Sequence, residues 1–142
     1  MLINSKYKFT NTKSRSVYEI ISEDGEMSRR DILYVIKQVC QIEDIVQYGE
    51  FIHPRNIMIN TNGVVTLVKS ELPFSTREAY IPPENDRFDT IKPSAILYAL
   101  GITMLFMATG NERKTGLDSH QDDNQLFRLI QTCIDFDIKA RL

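Results

Sequence analysis

The chain has few of the residues that build structural zinc sites, since its 142 residues include only two cysteines and two histidines. Cys40 and Cys133 are far apart, and with His53 and His120 they form no Cys/His cluster. Each cysteine falls in an apolar pattern of helical spacing, which favours two reduced thiols in a cytosolic protein. We therefore predict no metal site and no disulfide.

The sequence also lacks an excess of either charge and a long hydrophobic run. Its 17 Lys and Arg against 19 Asp and Glu give a net charge of −2, whereas a duplex-binding protein would show a basic excess. The longest apolar run, residues 95–108, falls short of the ~20 residues of a membrane helix. The first residues have no apolar signal-peptide core. We expect a cytoplasmic protein that binds no nucleic acid and does not insert into membranes, although its parent protein can associate it with the cytoskeleton or a membrane.

The length fits one domain with a single core. Residues 1–15 are polar, carry scattered Lys and Arg, and are interpreted as a flexible leader. A short helix is predicted from Ser16 to a turn at Gly25. A long helix is predicted from Ser28 to about Val46, because apolar residues recur at helical spacing.

The second half of the chain combines one hairpin with further helices. Two β-rich runs, residues 57–59 and 64–68, flank an Asn-Gly turn, which predicts a hairpin. Residues 71–92 are predicted to be an irregular loop. Pro93 and Gly110 suit the start and the end of a buried central helix. A final helix has the apolar stripe Leu126, Phe127, Leu129, Ile130, Cys133 and Ile134.

Two segments resemble the catalytic loop and the metal loop of a protein kinase. Residues 53–60 read H-P-R-N-I-M-I-N, similar to the end of H-R-D-x-K-P-x-N, and residues 64–71 read V-V-T-L-V-K-S-E, where kinases end in D-F-G. A kinase needs one Asp to accept a proton and another to hold Mg²⁺. The first position holds Phe51, which cannot accept a proton, and the second holds Lys69, which would repel a metal ion. The resemblance implies the frame of a kinase without its reaction.

Three further segments follow in the kinase order. Residues 80–84 (Y-I-P-P-E) resemble A-P-E, residues 96–103 (I-L-Y-A-L-G-I-T) resemble the start of the central kinase helix, and residues 137–141 (D-I-K-A-R) resemble D-P-x-x-R. No glycine-rich loop or strand lysine precedes them. The chain therefore resembles the KIND domain, a kinase C-lobe domain without catalysis. That resemblance covers residues 16–142 and implies a mainly α fold with a small β-hairpin and no N-lobe.

The resemblance gives the retained residues structural roles. Glu84 and Arg141 are expected to form a buried ion pair that braces the fold. Asn56 matches the second metal ligand of kinases, but a turn-capping role explains it better. His53 has no positioned nucleophile and is interpreted as a turn or surface residue. We therefore predict no catalytic, cofactor-binding or metal-binding residue, and no enzyme activity.

The KIND resemblance implies a protein-interaction module in a cytoskeletal (actin-linked) or signalling protein. Some KIND domains bind a basic tail segment of formins through an acidic groove, and this chain has two acidic groups that are candidates for such a site: Glu19, Glu23, Asp24 and Glu26, and Asp118, Asp122 and Asp123. Acids at helix starts also serve stability alone, and Arg29 and Arg30 partly neutralise the first group. The alternative functions are a regulatory pseudokinase or degenerate kinase fragment, and an enzyme of another class that uses His53 or the carboxylates.

Overall fold

The computed structural model describes residues 14–84, 93–113 and 125–141. Its strands are β1 (Arg15–Ser16), β2 (Ile57–Ile59) and β3 (Val65–Leu67). Its α-helices are α1 (Val17–Asp24), α2 (Arg29–Cys40), α3 (Phe74–Arg77), α4 (Pro93–Thr109), α5 (Gln125–Cys133) and α6 (Ile138–Arg141), and 3₁₀ helices cover Ile45–Phe51 and Glu78–Tyr80. The described part of the chain is thus mostly helical with a small antiparallel sheet, which agrees with the prediction of a mainly α fold with a small β-hairpin.

The sheet has the order β1-β2-β3, with β2 and β3 forming the predicted hairpin. The Oδ1 atom of Asn60 accepts hydrogen bonds from the backbone N–H groups of Asn62 and Val64, both at 2.9 Å, and Gly63 supplies the positive φ of 78°. Strand β1 was not predicted from the sequence, because two residues are too few to show an alternating pattern. Arg15 therefore belongs to the sheet, and the predicted boundary of the leader is corrected there.

The first two helices begin as predicted, but the second ends early. Ser16 and Glu19 form a capping box at the start of α1, and the Oγ atom of Ser28 accepts the N–H of Asp31 at 3.2 Å. The prediction that α2 continues to Val46 is wrong, because the helix ends at Cys40 and Asp44 takes a left-handed conformation with φ of 57°. Val46 is 50% exposed, so a longer helix would not be stabilised by burying an apolar face there.

The segment predicted as an irregular loop holds two short helices. Pro73 precedes α3, and the 3₁₀ helix Glu78–Tyr80 follows it directly. These turns were not predictable from periodicity, because each is one turn long. Residues 85–92, the rest of the predicted loop, lie outside the described residues.

Helix α4 is the centre of the core and is buried along most of its length. Pro93 begins it and Gly110 follows its last residue with φ of 75°, as the sequence predicted. A Cβ atom on Gly101 would lie 2.7 Å from the Cβ of Cys133 and 2.6 Å from the Cγ2 of Ile134, so glycine permits the close approach of α4 and α5. Among the helices of the described residues, none is long and apolar enough to span a membrane.

Helix α5 (Gln125–Cys133) matches the predicted final helix, except at one position of its apolar stripe. Leu126, Ile130 and Cys133 face the core from α5, whereas Leu129 is 42% exposed and does not belong to the buried stripe. After a turn, α6 brings Arg141 back to the start of α4.

Candidate functional site

The turn at residues 53–56 joins the 3₁₀ helix Ile45–Phe51 to strand β2. The N–H of Asn56 donates to the carbonyl of His53 at 2.8 Å and closes the turn, while the N–H of Tyr18 donates to the carbonyl of Pro54 at 3.1 Å. The second of these bonds fixes the turn against α1. The turn is therefore held by backbone hydrogen bonds that do not depend on any side chain.

Asn56 connects three segments of backbone from a buried position. Its Nδ2 atom donates to the carbonyls of Phe51 and Ser70, each at 3.0 Å, and its own carbonyl accepts the N–H of Val68 at 2.9 Å. Both side-chain partners are acceptors, which fixes the orientation of the amide. The Oδ1 atom is buried and has no hydrogen-bond partner among the described residues. Asn56 thus ties the 3₁₀ helix to the end of the hairpin.

The residues around Asn56 do not fit the divalent cation that a kinase site would hold. Asn56 Oδ1 is one oxygen ligand of the right chemistry, but the partner position holds Lys69, whose Nζ lies 4.7 Å from the ring centroid of Tyr48. Within residues 14–84, 93–113 and 125–141, no three His, Cys, Asp or Glu side chains come together as a metal site. Phe51 offers no proton acceptor at the position of the catalytic Asp. Apart from the Asn56 oxygen, these side chains supply neither the metal ligands nor the base of phosphoryl transfer.

His53 lies in the turn but is buried, 2% exposed, so the surface interpretation is corrected. Its Nδ1 atom accepts the N–H of Arg55 at 3.0 Å, which leaves Nε2 to donate to the carbonyl of Thr76 at 3.1 Å. Burial lowers the pKa of His53 to about 4; the Thr76 carbonyl opposes this shift, and the charges of Arg55 and Arg77 add to it. Both ring nitrogens are engaged, so His53 is not placed to act as a general base.

A narrow cleft lies beside His53, between the turn, the 3₁₀ helix Glu78–Tyr80 and α4. Its walls include Glu50, Ile52, Arg77, Tyr80 and Ala99. The ring of Tyr80 packs against His53 with centroids 4.3 Å apart. Burial raises the pKa of Tyr80, and the nearby Glu112 carboxylate raises it further, so the phenol stays protonated. Tyr80 is therefore not an activated nucleophile in this cleft.

Glu84 and Arg141 form a two-pronged ion pair. The NH1 and NH2 atoms of Arg141 lie 2.7 Å from the Oε2 and Oε1 atoms of Glu84. The Arg141 side chain is fully buried, the Glu84 side chain is 26% exposed, and Nε of Arg141 also donates to the carbonyl of Asp135 at 2.6 Å. Hydrogen bonding to Glu84 raises the pKa of Arg141, which keeps its charge fixed. The pair joins the segment before α4 to the end of the chain.

The first acidic group makes contacts within the protein. Glu19 Oε1 accepts the N–H and the hydroxyl of Ser16, each at 3.2 Å. Arg15 lies 2.8 Å from Asp24 and 3.4 Å from Glu23, whose side chain is 60% exposed. Glu26, at the turn between α1 and α2, lies beside Gly110. Asp118, Asp122 and Asp123 lie outside the described residues.

Sequence reasoning missed the aromatic partners of the cations near the turn. The guanidinium of Arg55 lies 3.7 Å from the ring centroid of Tyr18, and Lys69 lies over Tyr48. Contacts of this kind join residues far apart in sequence, so no spacing signal marks them.

Comparison with known proteins supports a kinase-like domain. No family model matches the chain. A probable serine/threonine-protein kinase, PknB of Bifidobacterium longum (strain NCC 2705), is 29% identical over 124 residues, which covers 73% of this chain and 18% of that protein. The crystal structure of Rad53 1-466 in complex with AMP-PNP matches with a TM-score of 0.67 and 14% identity, over 92% of this chain and 42% of that chain. The chain thus spans less than half the length of either match. The fold is kinase-like, and these matches do not single out the KIND domain.

Proposed function

We propose that the chain is a non-catalytic protein-interaction module on a kinase-like fold, of the kind that the KIND resemblance implies. The observation that carries this proposal is the use of Asn56. This residue keeps the identity of a catalytic-loop residue, yet its amide holds the carbonyls of Phe51 and Ser70. With Phe51 and Lys69 in place of the two carboxylates of phosphoryl transfer, the scaffold supports binding rather than chemistry.

The proposed partner is a Lys/Arg-rich segment resembling a formin tail, in a cytoskeletal or signalling protein. The side chains that support it are the exposed acids around α1, chiefly Glu23 with its 60% exposed side chain and the neighbouring Glu26. Asp24 contributes less to such a site because its side chain is only 11% exposed, and Glu19 contributes less because its Oε1 atom accepts the hydroxyl of Ser16. Clustered carboxylates raise the association rate of a cationic peptide, and salt weakens that effect.

Calorimetric titration with a basic formin-tail-like peptide tests this partner. We expect binding that weakens several-fold between low and physiological salt. The double variant Glu23→Gln with Glu26→Gln should weaken binding further, whereas Glu71→Lys, which changes the net charge by the same amount at an exposed acid outside both acidic groups, should leave it unchanged. A flat trace would contradict this partner, and equal losses in both variants would show that net charge, not the α1 acids, governs binding.

A second candidate is a regulatory pseudokinase or degenerate kinase fragment that retains nucleotide binding. It is favoured by the matches themselves, since one relative is named a protein kinase and the solved structure contains AMP-PNP. Nucleotide binding separates the two candidates, because the interaction module requires none.

A further inference from the structure

Lys69 occupies a fixed place at the exit of the hairpin. The residue before it, Val68, donates its N–H to the Asn56 carbonyl at 2.9 Å, and the residue after it, Ser70, accepts from Asn56 Nδ2 at 3.0 Å. Asn56 therefore holds the backbone on both sides of Lys69. The side chain is exposed, and its ammonium lies 4.7 Å from the ring centroid of Tyr48.

Tyr48 brings a second element into this contact. It belongs to the 3₁₀ helix Ile45–Phe51, and the carbonyl of the last residue of that helix accepts a hydrogen bond from Asn56 Nδ2. A lysine ammonium within about 6 Å of an aromatic ring centroid is attracted to the ring face. The contact therefore links the 3₁₀ helix to the end of β3, the two segments that Asn56 already joins.

In a kinase-type site the corresponding carboxylate and Asn hold a divalent cation at this place. The chain retains the Asn56 Oδ1 oxygen, buried and without a hydrogen-bond partner among the described residues, but has Lys69 at the sequence position of the carboxylate, with its ammonium over the ring of Tyr48. We propose that the Lys69 ammonium is an internal substitute for the divalent cation: it links the 3₁₀ helix to the hairpin, and its charge keeps a metal ion away from Asn56. This inference holds whether or not the chain binds a protein partner.

The substitution Lys69→Asp should reverse this arrangement. It removes the link to Tyr48 and places a carboxylate between Val68 and Ser70, the two residues whose backbone is hydrogen-bonded to Asn56. Carboxylate and amide oxygens are ligands that Mg²⁺ and Mn²⁺ accept. A protein weakened by losing Lys69 would thereby become one that a metal ion restores.

Thermal unfolding in EDTA and in Mn²⁺ tests the proposal, with Lys69→Asn as the matched variant that lacks both the ammonium and the carboxylate. In EDTA both variants should melt below the wild type. At about 10 mM Mn²⁺, tenfold above a millimolar Kd, Lys69→Asp should gain a few degrees in Tm, while Lys69→Asn and the wild type should not change. Mn²⁺ should also selectively broaden the amide signals of Asn56 and Ser70 in Lys69→Asp alone.

Three results would overturn the proposal. An equal Mn²⁺ response in the wild type and Lys69→Asp would show that Lys69 does not exclude the metal. An equal response in Lys69→Asp and Lys69→Asn would mean that no new site forms beside Asn56. If both variants have the Tm of the wild type in EDTA, the contact between Lys69 and Tyr48 does not stabilise the fold. The link is checked separately with Tyr48→Leu: its loss of Tm should match that of Lys69→Asn, and the double variant should lose no more than either single one.

Discussion

At the residue scale, the turn at residues 53–56 keeps the polar side chains of a catalytic-type loop and uses them to hold the backbone. Asn56 bonds to Phe51 and Ser70, and His53 bonds to Arg55 and Thr76. The capping role of Asn56 was predictable, because Asn after a Pro turn often bonds nearby backbone. The burial of His53 was not, since it depends on Tyr80 and the 3₁₀ helix from a distant part of the chain.

The buried imidazole should make folding stability depend on pH. The pKa of His53 is about 4 in the folded protein and 6.5 in the unfolded chain, so the unfolded state binds the proton more tightly. The contribution of neutral His53 to the free energy of unfolding is present above pH 6.5 and is lost as the pH falls toward 4. The loss is at most about 3 kcal/mol. Urea unfolding across this range measures the loss. In the His53→Gln variant the same drop in pH should lower the free energy of unfolding by that much less. If the pH dependence of stability is the same in the variant and the wild type, the lowered pKa of His53 is contradicted.

At the element scale, the contact between α4 and α5 depends on a single glycine. Gly101 allows Cys133 and Ile134 to approach the α4 backbone closely. The ends of α4 were predictable from Pro93 and Gly110, because both are local signals. The need for glycine at position 101 was not, because it arises only when the second helix is in place. The prediction that α2 continues to Val46 was wrong for a related reason. An apolar pattern in the sequence does not show where the buried face of a helix ends.

Gly101→Ala should destabilise the protein. Alanine favours the helix by about 0.5–1 kcal/mol, but its Cβ would lie 2.7 Å from the Cβ of Cys133, a position fixed by backbone. Overpacking of this kind costs about 1–3 kcal/mol, so the clash outweighs the propensity. We expect a net loss of about 1 kcal/mol in urea unfolding. The loss should be smaller in an Ile134→Ala background, which removes the Cγ2 contact; a gain in stability would refute the close approach.

At the scale of the whole molecule, the ion pair of Glu84 and Arg141 joins segments that are 57 residues apart in the sequence. The pair was expected from the kinase resemblance alone, since spacing does not show which charges meet. The kinase-like order of helices and hairpin was also expected from that resemblance. The sequence did not show which acids are available to the proposed partner, because Glu19 and Asp24 are bonded within the protein.

Arg141→Ala should destabilise the whole domain. Removing one member of a buried pair leaves the other charge without its partner, at a cost of about 3 kcal/mol where that partner is partly exposed, as Glu84 is. Chemical unfolding should show this loss as a single cooperative transition at lower denaturant. The matched control is Lys139→Ala, an exposed cation on the same helix, which should change stability by less than about 0.5 kcal/mol. Equal effects of the two substitutions would contradict the bracing role.

The most direct test of a kinase-like fold without kinase chemistry is an NMR titration of the chain with ATP in the presence of Mg²⁺, repeated in EDTA. Because Lys69 and Phe51 stand where a metal ligand and a base would be needed, we expect no saturable shift of the amide signals of residues 51–70 in either condition. Saturable, Mg²⁺-dependent shifts centred on Asn56 and Ser70 would contradict this view and favour a nucleotide-binding kinase fragment.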